Sequence, residues 1–152
     1  GQDHLLRPGL HPDAHRRRLV SDPDPLTADD RLAIMDLLAR YAHAMDGTDP
    51  AAFLACFIPD AEMDIGYRTV KGEAEMREFA DYFAAKPGRP WYHHITTISI
   101  EGHAARARSR SYMLMTDLDE QGRTQHAGCC NYLDEFVKVD GCWLFARHTV
   151  VV

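Results

Sequence analysis

The apolar residues of this chain change their period once, and that change restricts the fold more than any short motif does. Between residues 26 and 85 they recur mainly at helical spacing, and from Trp91 onward they alternate. Residues 26–47 read as one amphipathic helix, with Ile34, Leu38, Tyr41 and Met45 on one face and Leu37 and Ala42 widening it. Thr27 followed by Asp30 is a capping-box pattern, and Gly47 stands where a left-handed C-cap glycine is expected. Asp49-Pro50 then opens a short second helix carrying Phe53, Leu54 and Phe57, which Pro59 is expected to end. Residues 61–70 read as a short irregular strand or hairpin broken by Gly66. A third helix over 72–85 follows, marked by Met76, Phe79, Tyr82 and Phe83 and closed by Lys86-Pro87-Gly88. Four alternating strands complete the chain, joined by EGH, DEQG and the strong hairpin signal Asp140-Gly141. Three helices ahead of an antiparallel meander make an α+β layout.

A chain of 152 residues, 45% hydrophobic and 26% charged, suits one domain with its own core. Residues 1–26, rich in Pro, Asp and Arg and without apolar periodicity, are expected to form an extended arm, and 27–152 the folded domain. The HRRR run at 15–18 reads as a solvated or partner-contacting segment or as an anion patch, and His4, His11 and His15 lack ligand spacing. The net charge of −6 lies wholly beyond the arm, whose four Asp balance four Arg, which argues against a nucleic-acid partner. No apolar run approaches the roughly 18 residues of a membrane span, and no signal-peptide core is visible, so a cytoplasmic protein is expected. Cys56, Cys129, Cys130 and Cys142 lack metal spacing and are expected as reduced, buried thiols.

Two residues draw attention for their chemistry. Asp46 lies in the last turn of the first helix, where the macrodipole disfavours an anion, so it is either a solvated helix-end acid or a base or orienter at a pocket mouth. Strict alternation in WYHHITTISI puts Tyr92, His94, Thr96, Ile98 and Ile100 on one face. His94 thus reads as a satisfied core or interface histidine, or as a catalytic base if a carboxylate such as Asp46 orients it. In the next strand Arg106, Arg108 and Arg110 share one face, and Ala105, Ala107, Ser109, Ser111, Met113 and Met115 share the other. Small inner residues either enclose a cavity or let a helix approach closely. No metal cluster, phosphate loop, dinucleotide fingerprint or nucleophile elbow is present, so the chemistry is expected to need no cofactor and no metal.

Three segments, YAHAMDGTDPAAFLACFIPDAEMD (41–64), HHITTISIEG (93–102) and NYLDEFVKVDGCWLFAR (131–147), resemble the SnoaL-like, NTF2-like superfamily in order and spacing. The resemblance covers 27–152. It implies a cone-shaped α+β barrel in which three N-terminal helices pack in a curved, mainly antiparallel sheet around a pocket. Its dehydratase-like branch, which holds scytalone dehydratase and bile-acid 7α-dehydratase, has an Asp at the end of the first helix and a His opening the first long strand. By resemblance, His94 abstracts a carbon-bound proton, Asp46 holds and charge-balances it, and Tyr41 donates a hydrogen bond to an oxygen. The tyrosine that those enzymes carry after the second helix falls at Ile65, leaving that role vacant or filled by Tyr67. Tyr112, Asn131 and His126 are further candidates for contact with a substrate.

These readings lead to a cofactor-independent lyase or isomerase, a dehydratase, double-bond isomerase or cyclase, acting on a hydrophobic, oxygenated small molecule of polyketide, terpenoid or steroid-like kind. A noncatalytic ligand-binding or assembly module of the same fold is the alternative. A homodimer through the outer face of the sheet is expected, because helices cover only one face.

Overall fold

The computed structural model describes residues 24–86 and 91–152. The arm's histidines and its HRRR run lie outside these residues, as does the Pro87-Gly88 stop. The elements are α1 (Ala28–Asp46), α2 (Pro50–Leu54), β1 (Phe57–Asp64), β2 (Thr69–Lys71), α3 (Gly72–Ala84), β3 (Tyr92–His103), β4 (Arg106–Leu118), β5 (Thr124–Val139) and β6 (Cys142–Val151). The strands form one open sheet in the order β2-β1-β6-β5-β4-β3. Only β1 and β6 run parallel; every other neighbouring pair is antiparallel. The α+β layout read from the change of period is the one that forms, with helices and sheet sharing one core.

The capping box of α1 is complete: Thr27 N donates to Asp30 Oδ2 at 3.1 Å, and Asp30 N donates to Thr27 Oγ1 at 3.1 Å. From this cap Ile34, Leu37, Leu38, Tyr41 and Ala42 are buried, as their spacing requires. Phe53, Phe136 and Phe145 are also almost completely withdrawn from water and pack with Tyr41 and Phe57 at ring separations of 4.9 to 6.1 Å. Aromatic contacts of this kind add about 0.5–1.5 kcal/mol each beyond the area they bury. Leu26, read as part of the arm, belongs to this core, and Pro25 forms a bridge to His103.

Several local expectations are corrected. Gly47 is not left-handed: its φ is −80°, and Thr48 takes the positive φ instead. Glycine is needed at 47 for space, because a Cβ there would stand 2.9 Å from the His43 carbonyl oxygen. Pro59 does not end a helix, and Phe57 does not belong to one. α2 stops at Leu54, and both residues lie in β1, with Pro59 in the irregular stretch between the Phe57 and Glu62 pairings where its missing N–H breaks no regular ladder. Tyr82 lies outside the core and carries Lys86 Nζ 4.0 Å above its ring. Cys129 and Cys142 are exposed, while Cys56 is buried; all four thiols are free. The Asp140-Gly141 turn forms with positive φ at both residues, the requirement of a tight hairpin. No helix among the described residues is long and apolar enough to cross a membrane.

Three bulges decide which side chains meet the helices. In β3 the pairing moves from Thr96↔Tyr112 to Ser99↔Arg110, which leaves one extra residue at the positive-φ Thr97. In β5 Ala127 is extra, and in β6 Ala146 is extra. Each extra residue reverses the alternation beyond it. The inner face of β3 therefore carries His93 and Ile95 before the bulge and Ile98 and Ile100 after it. In β6 it carries Trp143 and Phe145, then His148.

Asp30 is more than a cap. Its Oδ1 accepts from Lys138 Nζ at 2.7 Å and from the Trp143 indole N–H at 2.9 Å, tying α1 to β5 and β6. The Lys138 ammonium first, and then the Thr27 and Trp143 donors, hold the Asp30 carboxyl well below the usual carboxylate range. A carboxyl so lowered contributes stability above its unfolded pKa of about 3.9 and loses it as pH falls through the lower folded value. Asp30→Asn should therefore lower the thermal midpoint at neutral pH, with the gap to wild type narrowing as melts are run below about pH 3.9. A gap independent of pH would mean that packing, and not charge, ties the three elements.

Candidate functional site

Asp46 is the last residue of α1, and its position against the negative end of the helix is answered from β3. The His93 backbone N–H lies 3.2 and 3.0 Å from the two carboxylate oxygens, and the His93 ring Nδ1 lies 2.5 Å from Oδ1. A helix-end acid thus meets three contacts from one residue. The His93 side chain is only 9% exposed and that of Asp46 17%, so the pair is shielded without being sealed. With Nδ1 committed to the carboxylate, the ring's Nε2 has no hydrogen-bond partner among the described residues. A carboxylate on one ring nitrogen fixes the tautomer and leaves the other nitrogen as a proton acceptor, the arrangement of a general base.

The histidine of this pair is His93, where strict alternation pointed to His94. His94 is exposed on the opposite face, with Nε2 3.0 Å from Thr116 Oγ1. The reason is the Thr97 bulge: the apolar spacing of Ile95, Ile98 and Ile100 is three and then two, and phasing the strand from Ile98 and Ile100 alone turns His93 outward.

A second Asp–His pair lies deeper, between residues that sequence spacing does not single out. Asp134 Oδ1 is 2.6 Å from His148 Nδ1, and both side chains are 0% exposed. Ser109 Oγ donates to the other Asp134 oxygen at 3.2 Å. His148 Nε2 lies 3.3 Å from the hydroxyl of Tyr41, whose ring also packs edge-on against Tyr132 at 6.2 Å. Burial first, and then the Asp134 carboxylate, push the Tyr41 phenol well above tyrosine's ordinary value. Burial also raises Tyr132, with Tyr41 adding to it. Two buried polar atoms along the inner face of β4, Ser111 Oγ and Asp117 Oδ1, have no partner among the described residues.

A sequence profile of the SnoaL-like domain matches residues 26–149. The chain belongs to this family. SnoaL-like domains include polyketide cyclases and dehydratases. Solved structures agree in fold. A candidate aromatic ring hydroxylase from Novosphingobium aromaticivorans is 30% identical, with 83% of this chain and 90% of that one covered and a TM-score of 0.72. A cystatin-like-fold protein of unknown function from Nostoc punctiforme is 26% identical, with 82% and 92% covered and a TM-score of 0.75. A candidate scytalone dehydratase from N. aromaticivorans, at 24% identity, 80% and 83% coverage and a TM-score of 0.68, shares the fold. No protein of curated function matches the sequence.

In this SnoaL-like domain the remaining site candidates are dispersed. Tyr41 does lie in the interior, with its hydroxyl in contact with His148. Tyr67 is 83% exposed, in the turn between β1 and β2. Tyr112 is 53% exposed and pairs with Asn131 across β4 and β5, on the face turned away from the helices. His126, opposite Thr116, is exposed on β5. Two of these follow from strand phase: Tyr112 alternates with the inward Ser111 and Met113, and Asn131 with the inward Cys130 and Tyr132. Among the described residues no group of three or more His, Cys, Asp or Glu could hold a metal ion.

Proposed function

We propose that the chain is a cofactor-independent lyase or isomerase that removes a proton from carbon next to a carbonyl, with His93 as base and Asp46 as its orienter. The observation that carries this reading is the Asp46–His93 contact, which leaves an uncommitted ring nitrogen on the helix side of the sheet. Tyr41 would supply the hydrogen bond to the developing oxyanion. The inner residues between His93 and Tyr132, among them Ile95, Met113 and Cys130, are apolar or soft, which suits a hydrophobic, oxygenated substrate such as a polyketide, terpenoid or steroid-like intermediate.

Proton abstraction can be followed without knowing the final product. Ketones and β-hydroxy ketones of this class, incubated in D2O with the protein, should exchange their α-hydrogens faster than with His93→Ala, as read by proton NMR. β-Hydroxy ketones should in addition lose water if the reaction is an elimination. Saturable binding without exchange across such a panel would replace the enzyme by a noncatalytic ligand-binding module.

Two copies are further proposed to meet through the outer face of the sheet. One row of paired positions crosses all six strands as Glu101, Arg108, Glu135, Arg147, Glu62 and Lys71, alternating in sign throughout. A two-fold axis along the strands between β5 and β6 sets each member of this row against an opposite charge. Tyr92, Tyr112, Leu114, Leu133 and Val151 supply exposed apolar area on the same face. Light scattering at micromolar concentration should give a dimer, and Arg147→Glu should shift it toward monomer. A monomeric wild type would end this part of the reading.

A further inference from the structure

The buried Asp134–His148 pair takes no part in the proposed proton abstraction, and its chemistry can be worked out from its surroundings. Both side chains are sealed from water, and among the described residues neither Lys nor Arg is paired with Asp134. An ionised Asp134 beside a neutral His148 would leave one net negative charge in an aromatic core, and buried groups avoid such charge by taking up a proton. The pair then holds its proton in one of two ways. If Asp134 is ionised and His148 is an imidazolium, both ring nitrogens carry hydrogen. If both groups are neutral, the acid donates to Nδ1 and the ring's own hydrogen sits on Nε2. Either way Nε2–H faces the Tyr41 oxygen, and Tyr41 is the acceptor of that contact.

We infer that Asp134 and His148 are positioning residues that hold an N–H against the Tyr41 oxygen, so that the Tyr41 hydroxyl proton points away from the pair, toward an oxygen of the bound molecule. The inference rests on the reading above in giving Tyr41 a substrate oxygen to meet. The opposite proton count would make Tyr41 donate to Nε2 and present only lone pairs. Burial and the Asp134 carboxylate, which raise the Tyr41 phenol, keep its proton in place to be donated. Tyr132 packs with its ring 6.2 Å from that of Tyr41, and directly across from Tyr132 on β4 stands Ser111, 0% exposed, its hydroxyl without a partner among the described residues. A carbonyl, hydroxyl or enolate oxygen fits a Tyr41 hydroxyl that donates in this direction, and an ammonium group does not.

The proton count can be read directly on the full chain. With 15N-labelled histidine and His148 assigned by comparison with His148→Gln, long-range 1H–15N spectra at neutral pH should give a protonated Nε2 in the wild type. Tyr41→Phe removes the acceptor, so the Nε2–H signal should move and its exchange with water accelerate. A bare Nε2 with hydrogen only on Nδ1 would overturn the inference, and so would a signal indifferent to Tyr41→Phe. His93→Ala should leave the His148 signature in place. Failure to find proton abstraction would therefore count against the lyase reading while the signature stands, and loss of the signature would count against this inference alone.

Discussion

His93→Ala should lower turnover of any carbon acid that the wild type accepts by about 10²- to 10⁴-fold, the usual contribution of a positioned general base. His94→Ala, one residue on, should leave the rate nearly unchanged. The contrast follows from geometry, since the His93 ring is held on Asp46 inside the sheet while His94 is held on Thr116 outside it. Asp46→Asn keeps the shape of the contact but removes the charge that balances an imidazolium, and should reduce kcat/KM by on the order of 10²-fold. Circular dichroism and thermal melts should find all three variants folded, because none of these side chains belongs to the hydrophobic core. Equal losses in His93→Ala and His94→Ala would show that neither ring nitrogen is the base. A full rate in His93→Ala would remove the mechanism.

The fold was legible wherever a period ran unbroken. The cap at Thr27 and Asp30, the buried face of α1, the inward set of β4 from Ala107 to Met113 and the Asp140-Gly141 turn all follow from spacing and local chemistry. The site was half legible. Asp46 stood out because an acid at a helix C-terminus needs a reason, and the resemblance named its partner strand. The histidine on that strand was missed by one residue, and His148 was missed entirely, for a single physical cause. A bulge inserts one residue and reverses every side chain beyond it, so a rule of strict alternation fails on one side of it. Traces were present. Ile95, Ile98 and Ile100 cannot all face inward without an extra residue, and in Phe145-Ala146-Arg147-His148 strict alternation from Phe145 would have buried Arg147. Tyr112 shares its face with Arg106, Arg108 and Arg110, so the spacing of β4 already turns it outward, whereas nothing in the residue types around Asn131 tells the inner face of β5 from the outer one.

The same buried pair yields the second large effect, on stability. Replacing Asp134 or His148 singly by leucine should destabilise the chain by about 3–5 kcal/mol, since each change strands the other group in a water-free core. Replacing both, with Ser109→Ala so that no hydroxyl is left facing leucine, should cost far less, and such apolar replacements of buried pairs have been neutral or stabilising by about 1–4 kcal/mol. Denaturant unfolding of the singles and the combined variant measures the difference as a coupling energy. A combined variant as unstable as the sum of the singles would mean that the pair is held for the fold. A stable combined variant would mean that an apolar core was open to this sequence at these positions. The pair would then have to be explained by what it does to Tyr41, the one α1 side chain in hydrogen-bond contact with it. In that variant Tyr41 loses its His148 contact while the Asp46–His93 contact stays in place, so proton abstraction should slow although the base is intact.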